Sequence, residues 1–193
     1  MIIIGSLLCI IADLLYCLSG KAGKALINAD VKRYIKWSKT KKIKSDVLRL
    51  NYLLLKKKEF RSVFYYRVKR HKFLSAFCRL FLPCVVTIEF GNGEIGGGIL
   101  VSHNHSVICP KKAGANFRVG PGVVIEGGPI FGNNVYVASN STVIGNIIIG
   151  DNVIIGAGSV VTEDLHGNGV YIGNPARFLK HIDDNEKLLN EIM

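Results

Sequence analysis

Every sixth residue from Ile95 to Val161 is apolar: Ile95, Val101, Val107, Ala113, Val119, Ile125, Phe131, Val137, Val143, Ile149, Ile155 and Val161. In a chain that is 49% hydrophobic, this run would arise by chance roughly twice in ten thousand, or about once in a thousand over six phases. A period of six matches neither the helical repeat nor the alternation of a two-faced strand. It fits a short strand and a tight turn, repeated. Three such units close a triangular coil of about eighteen residues, with the six-spaced side chain inside. Gly follows the inward residue at Gly96, Gly120, Gly132, Gly150 and Gly156, and Asn or Asp comes next at Asn133, Asn134, Asp151 and Asn152. Gly gives the backbone room at a corner, and Asn or Asp tolerates left-handed turn geometry. On this reading residues 95–166 form four uninterrupted coils.

The rest of the chain is physically different. Residues 1–83 hold 19 Lys or Arg against 4 Asp or Glu, a net of +15, whereas residues 84–193 hold 6 against 10, a net of −4. Three glycines precede residue 90 and eighteen follow it, and no proline precedes Pro83. A boundary therefore falls near residues 83–88. The overall charge of +11 suits an anionic partner or surface.

Within the basic part, apolar residues from Val47 to Leu80 recur in steps of three and four, which predicts two amphipathic helices. Phe60, Phe64, Tyr65, Tyr66, Phe73 and Phe77 alternate with bases, but no nucleic-acid motif accompanies them, so a packed stripe with a solvated basic face is expected. The SGKAGK stretch at 19–24 lacks the spacing of a phosphate-binding loop. Residues 1–19 are apolar apart from Asp13 and two serines. Without a basic start or a clean small-residue cleavage site, a signal peptide is not expected here. Three readings stay open: a buried or subunit-contact helix, attachment to an anionic membrane surface, or a span in which Asp13 costs about 2.5–3.5 kcal/mol. The five cysteines are scattered, and no Cys/His spacing suggests a metal site. Residues 181–193 begin acidic and continue through Leu188, Leu189 and Ile192, which predicts a short capping helix over the last coil.

Imidazole is the natural base near neutral pH, and the repeat region offers His103, His105 and His166. In the hexad Val101–Ser106, Val101 is the inward residue. His105 sits two residues before the next corner, Val107, and shares its inward-leaning parity. His103 falls near the turn, where it can face a neighbouring subunit. His166, beside Gly167-Asn168-Gly169, reads as a loop residue.

The stretches EIGGGILVSHNHSVI (94–108), FGNNVYVASNSTVIGNIIIGDNVIIGAGSVVTED (131–164) and GNPARFLK (173–180), with KKKEFRSVFYYRVKR (56–70) more weakly, resemble the hexapeptide-repeat, left-handed β-helix acyltransferases. The pattern is most similar to the serine acetyltransferases and their capsular or O-antigen polysaccharide acetyltransferase relatives. The resemblance implies acetyl-CoA as co-substrate, no metal, direct acetyl transfer to a hydroxyl, and a homotrimer, or a dimer of trimers, with sites between adjacent β-helices. It places the catalytic His at His103. It puts coenzyme A against Ala138, Ser139, Gly156, Ala157 and Gly158, with Arg177 and Lys180 for the phosphates. An acid that orients the imidazole is implied as well. The family's Asp immediately before the His is Ser102 here, so Glu89 is the candidate, with Glu94 second. Two further departures stand out. Glu163 occupies a position that is often Lys in relatives, and the loop that commonly interrupts the coils is absent from Ile125 to Ile130.

The expectation is thus an α+β chain: a helical, basic region (1–83), a left-handed parallel β-helix of about four coils (84–180) and a C-terminal helix (181–193). The function expected is an acetyl-CoA-dependent O-acetyltransferase, acting on L-serine or a sugar of a cell-surface polysaccharide precursor. Its expected setting is the cytoplasm, with peripheral contact to the inner membrane face and no nucleic-acid partner. The rival expectation is an inactive β-helix assembly module.

Overall fold

The computed structural model describes residues 9–38 and 43–182. The chain divides into two compact units at Val86–Thr87. The described part of the first unit holds five helices: α1 (Ile10–Leu18), α2 (Gly20–Trp37), α3 (Asp46–Lys56), α4 (Lys58–Arg67) and α5 (Lys72–Phe81). Three helices, not two, therefore cover the stretch from Val47 to Leu80. The periodicity runs through two breaks that it cannot register: Lys57 is extended (φ −123°, ψ 102°), and a turn at Val68–His71 separates α4 from α5.

Leu50, Leu53 and Leu54 of α3 and Phe60, Val63 and Phe64 of α4 are buried, as their helical spacing requires. Tyr34 of α2 meets Phe60 edge-to-face, with ring centroids 5.0 Å apart. Two arginines do structural work in this unit. Arg67 forms a two-pronged pair with Asp30 (Nε to Oδ2 2.7 Å, Nη2 to Oδ1 3.1 Å), with both side chains almost fully buried. Arg61 donates to the carbonyls of Leu54, Leu55 (3.0 Å) and Pro83 (2.8 Å), so it caps the carboxyl end of α3 and anchors the segment after α5.

The apolar N-terminal stretch is described from Cys9. Asp13 accepts a hydrogen bond from Asn51 Nδ2 of α3 (3.2 Å), and burial raises its pKa above the usual carboxylate value. Ala12 and Leu15 of α1 are buried. Among the described residues, no helix is long and apolar enough to cross a membrane.

The second unit is a left-handed parallel β-helix. Face 1 stacks β1 (Ile88–Phe90), β4 (Ser106–Ile108), β7 (Val124–Glu126), β10 (Thr142–Ile144) and β13 (Val160–Val161). Face 2 stacks β2 (Glu94–Ile95), β5 (Lys112–Ala113), β8 (Ile130–Phe131) and β11 (Ile148–Ile149). Face 3 stacks β3 (Leu100–Val101), β6 (Arg118–Val119), β9 (Tyr136–Val137), β12 (Val153–Ile155) and β14 (Gly169–Ile172), and β15 (Arg177–His181) adds antiparallel to β14. Face 1 starts at Ile88, before the first six-spaced residue, so there are five coils rather than four.

Eleven of the twelve six-spaced side chains are buried in the prism. The exception is Val107. Its neighbour Ile108 is buried instead and pairs with Ile125, seventeen residues on, where Leu100 pairs with Arg118 at the regular eighteen. The repeat is therefore interrupted once, by a one-residue phase slip between Val101 and Ile108. The last coil is also shortened, since Ile149 bridges to Leu165 only sixteen residues on.

One corner is locked by a column of Asn116, Asn134, Asn152 and Asn168, all at φ between 56° and 59°. Each of the first three donates from Nδ2 to Oδ1 of the next, at 2.9, 2.9 and 2.8 Å. The side-chain amide thus both permits the left-handed turn and ties each coil to the next. After β14 the chain reverses into β15, and Ile182 packs on Ile154 and Val170. The C-terminal helix expected over 181–193 lies outside the described residues except at its start, where His181 ends a strand.

Replacing Arg67 with Ala would remove both hydrogen bonds and the counter-charge that it gives the buried Asp30 carboxylate. The expected cost is about 3–5 kcal/mol in equilibrium urea unfolding, and a shift under 1 kcal/mol would show that the pair is not a buried charge pair.

Candidate active site

The edge between face 3 and face 1 is built from four described corners. Three have the same length: Gly120-Pro121-Gly122, Ala138-Ser139-Asn140 and Gly156-Ala157-Gly158. Each ends on a residue with left-handed backbone, Gly122 (φ 68°), Asn140 (58°) and Gly158 (69°). The first corner is longer by one residue, Ser102-His103-Asn104-His105, and its left-handed position is held by His105 (φ 64°). This insertion is the origin of the phase slip. It pushes His103 and Asn104 out, and both are exposed.

His105 does not lean inward. It is exposed and takes the place that Gly or Asn occupies in the other three coils. The left-handed turn reverses strand alternation, so counting back by two from Val107 misplaces it. A His at φ 64° is strained relative to Gly. The loop is held from below by Thr87, whose Oγ1 accepts from the His105 N–H (3.2 Å) and whose carbonyl accepts from the Ser106 N–H (3.0 Å). Thr87 was not visible as a site residue in the sequence, because its role depends on pairing one coil away.

Ser102, where the related pattern has Asp, is buried, and its Oγ has no hydrogen-bond partner among the described residues. Glu89 lies on β1, exposed, opposite Val107 of the neighbouring strand and two residues after Thr87. Burial is the main influence raising the pKa of the nearby Cys109 thiol, followed by the charges of Glu89 and Glu126. Glu94 belongs to β2, opposite Lys112 on face 2, a different side of the prism from the His103 corner. His166 is exposed beyond the last face 2 pairing, and its carbonyl accepts from Tyr171 OH (2.9 Å).

The structure brings His103 and the small-residue positions to the same edge. Coils are spaced by about 4.8 Å, so Ala138 and Ser139 lie about 10 Å from the His103 corner along the axis, and Gly156–Gly158 about 14 Å. Ala138 is buried, Ser139 and Gly156 are half-buried, and Ala157 and Gly158 are exposed. A Cβ added at Gly158 would meet nothing within 4 Å, so the edge is open there, whereas at Gly156 it would strike Ile172 at 2.6 Å. A flexible chain of acceptors and donors can approach the main chain along such an edge.

At the end of the fifth coil lies a cavity of about 130 Å³ lined by Thr162, Glu163, Asp164, Tyr171, Arg177 and Phe178, among others. Arg177 Nη1 is 3.4 Å from Glu163 Oε2, and both side chains are largely exposed. Arg177 lines this cavity; Lys180 lies three residues farther along β15, opposite Val170. Among the described residues, no group of three His, Cys, Asp or Glu could hold a metal ion. Where an inserted loop was expected to be missing, Ile125 to Phe131 makes a tight turn with Gly127 (φ 81°) and Gly128 (φ 77°).

Residues 128–163 match the family model described as bacterial transferase hexapeptide (six repeats). No curated protein matches the sequence. Among solved structures, the serine acetyltransferase of Neisseria gonorrhoeae is 23% identical with a TM-score of 0.65, covering 90% of this chain and 72% of that one. Soybean serine acetyltransferase, complexed with serine, is 23% identical with a TM-score of 0.59, covering 83% and 71%. The enzyme of Brucella abortus strain S19 is 17% identical with a TM-score of 0.59, covering 88% and 73%. Residues 128–163 thus carry hexapeptide repeats, and the chain has the fold of these serine acetyltransferases over most of its length.

Deleting Asn104 would give the first corner the length of the other three. The β-helix is expected to persist, with an unchanged circular dichroism spectrum and a melting temperature within about 5 °C of the parent. Loss of the folded signal would mean that the added residue is needed for coil register.

Proposed function

We propose that the protein is an acetyl-CoA-dependent O-acetyltransferase whose general base is His103. The observation that carries this reading is the expanded corner. Among the four corners of that edge, the one lengthened by a residue is the one that carries exposed imidazoles, with His103 in the expanded part and His105 holding the left-handed position. Acetyl-CoA, when bound, supplies an acetyl group activated as a thioester. The residues on the edge fit it in kind. Ala138, Ser139 and Gly156–Gly158 leave the main chain approachable for the pantetheine arm, and Arg177 offers a guanidinium to its phosphates. Glu163 competes for that guanidinium, but an exposed pair of this type is worth at most about 1 kcal/mol and can give way to a phosphate.

In this mechanism an imidazole nitrogen of His103 accepts the proton of the acceptor hydroxyl as its oxygen attacks the acetyl carbon, and returns it to the departing thiolate. Glu89 is the proposed acid that steadies the charged imidazole, since Ser102 carries no charge. The acceptor is a hydroxyl of L-serine or of a sugar in a cell-surface polysaccharide precursor. The absence of the Asp next to the His, and of the intervening loop, favours the sugar. A homotrimer with the sites between neighbouring prisms completes the proposal, because His103 and the open edge at Gly158 both face outward.

The second reading is a β-helix retained as an assembly module. The neutral Ser102 beside His103, where the resemblance implies an Asp, together with the missing loop between coils, favours it. Thiol release from acetyl-CoA, followed with L-serine and with nucleotide- or lipid-linked glycans, separates the two. His103→Ala is expected to lower turnover by about a hundredfold or more with the fold intact. Wild-type protein that turns over no hydroxyl acceptor leaves only the assembly reading. Glu163→Gln frees Arg177 and is expected to lower the KM for acetyl-CoA by a factor of about three, without changing kcat.

A further inference from the structure

The helix α5 is amphipathic in the wrong sense for a soluble domain. Its inward positions are small or polar: Ser75 donates to the Val68 carbonyl (3.3 Å), and Cys78 accepts from Tyr65 OH (3.4 Å). Its bulkiest apolar side chains point out. Phe73 is 95% exposed, Leu80 75%, Phe81 52% and Phe77 51%. Their spacing of four, three and one residues puts them on one stripe. The Phe77 and Phe81 rings are in edge contact, with centroids 5.5 Å apart, so the stripe is a formed surface. The helix α1, which packs beside α5, repeats the arrangement with Ile10, Leu14 and Leu18, all about half exposed.

On α5 and in the turn before it the charges have one sign, and the half-buried Asp13 of α1 is engaged by Asn51. Lys72 and Arg79 border it on α5, and Lys69 and Arg70 stand exposed in the turn before it. From residue 60 to residue 88 there are six Lys or Arg and no Asp or Glu. An isologous contact with a second copy would set these basic rims against each other, which disfavours burial of the stripe in that way. An anionic bilayer neutralises the rim and accepts the aromatic side chains in the same geometry.

We infer that the outward face of α5 is a membrane-surface docking site for anionic phospholipid, with Phe73, Phe77, Leu80 and Phe81 entering the headgroup–acyl boundary and Lys69, Arg70, Lys72 and Arg79 meeting the headgroups. The helix lies in the interface and does not cross it. This inference stands independently of the acetyl-transfer reading and brings the protein to where lipid-linked acceptors are found.

The test is flotation of the full-length protein with phosphatidylcholine vesicles, with and without phosphatidylglycerol. Binding is expected only to the anionic vesicles and is expected to weaken with added salt. Phe77→Ser with Leu80→Ser should reduce it by about tenfold or more, and Lys69→Glu with Lys72→Glu should abolish the preference for anionic lipid. These side chains are exposed, so circular dichroism and thiol-release activity in lipid-free solution should be unchanged. Absence of flotation by the wild-type chain overturns the inference. So does sedimentation showing that the wild type self-associates through this face, in a form that Phe77→Ser and Leu80→Ser dissolve while vesicle binding persists.

Discussion

The left-handed backbone at two of the three corners of each coil is the constraint on which the β-helical unit rests. A parallel coil closes in about eighteen residues by turning sharply three times, and where the turn is left-handed, residues other than Gly and Asn resist it. Asn116, Asn134, Asn152 and Asn168 meet the requirement and then use their amides to bond coil to coil. Once the corners are stacked, the two- and three-residue strands between them pair without choice of register. The inward residues follow, and the prism fills with the apolar series that the sequence displays.

The candidate site is a controlled violation of that regularity. One residue more at the first corner displaces the whole of β4 by one position, so Ile108 replaces Val107 in the interior. The displaced segment is recovered within the same coil, because Ala113 is buried only five residues later. The cost is borne locally, by a His in a left-handed position and a buried hydroxyl without a partner among the described residues. Strain of this kind is tolerated where the surrounding structure fixes it, and here Thr87 and the adjoining strands do so. The outcome is an imidazole held clear of a rigid edge whose other corners carry small residues.

The helical unit follows a different logic. Its interior is organised by side chains that satisfy buried polar groups, with Arg67 on Asp30 and Arg61 on three carbonyls, while its aromatic residues divide between core and surface. Phe60 and Phe64 are enclosed, whereas Phe73 and Phe77 are not. Helical spacing places each set on one face, but it says nothing of which face the neighbouring helices will cover.

The sequence by itself determined the period, the interior residues at eleven of twelve positions, the change of regime before Ile88 and the position of His103 at a turn, because each follows from local geometry or composition. The phase slip was partly legible, since Ile108 is apolar beside Val107, but six-residue counting has no means of choosing between adjacent apolar residues. Only the tertiary structure decided that His105 is exposed, that Thr87 supports the loop, that Arg177 is engaged by Glu163 and that α5 turns its phenylalanines outward. Each of these depends on groups brought together from different coils or helices, and a pairing eighteen residues away leaves no mark on the residues between.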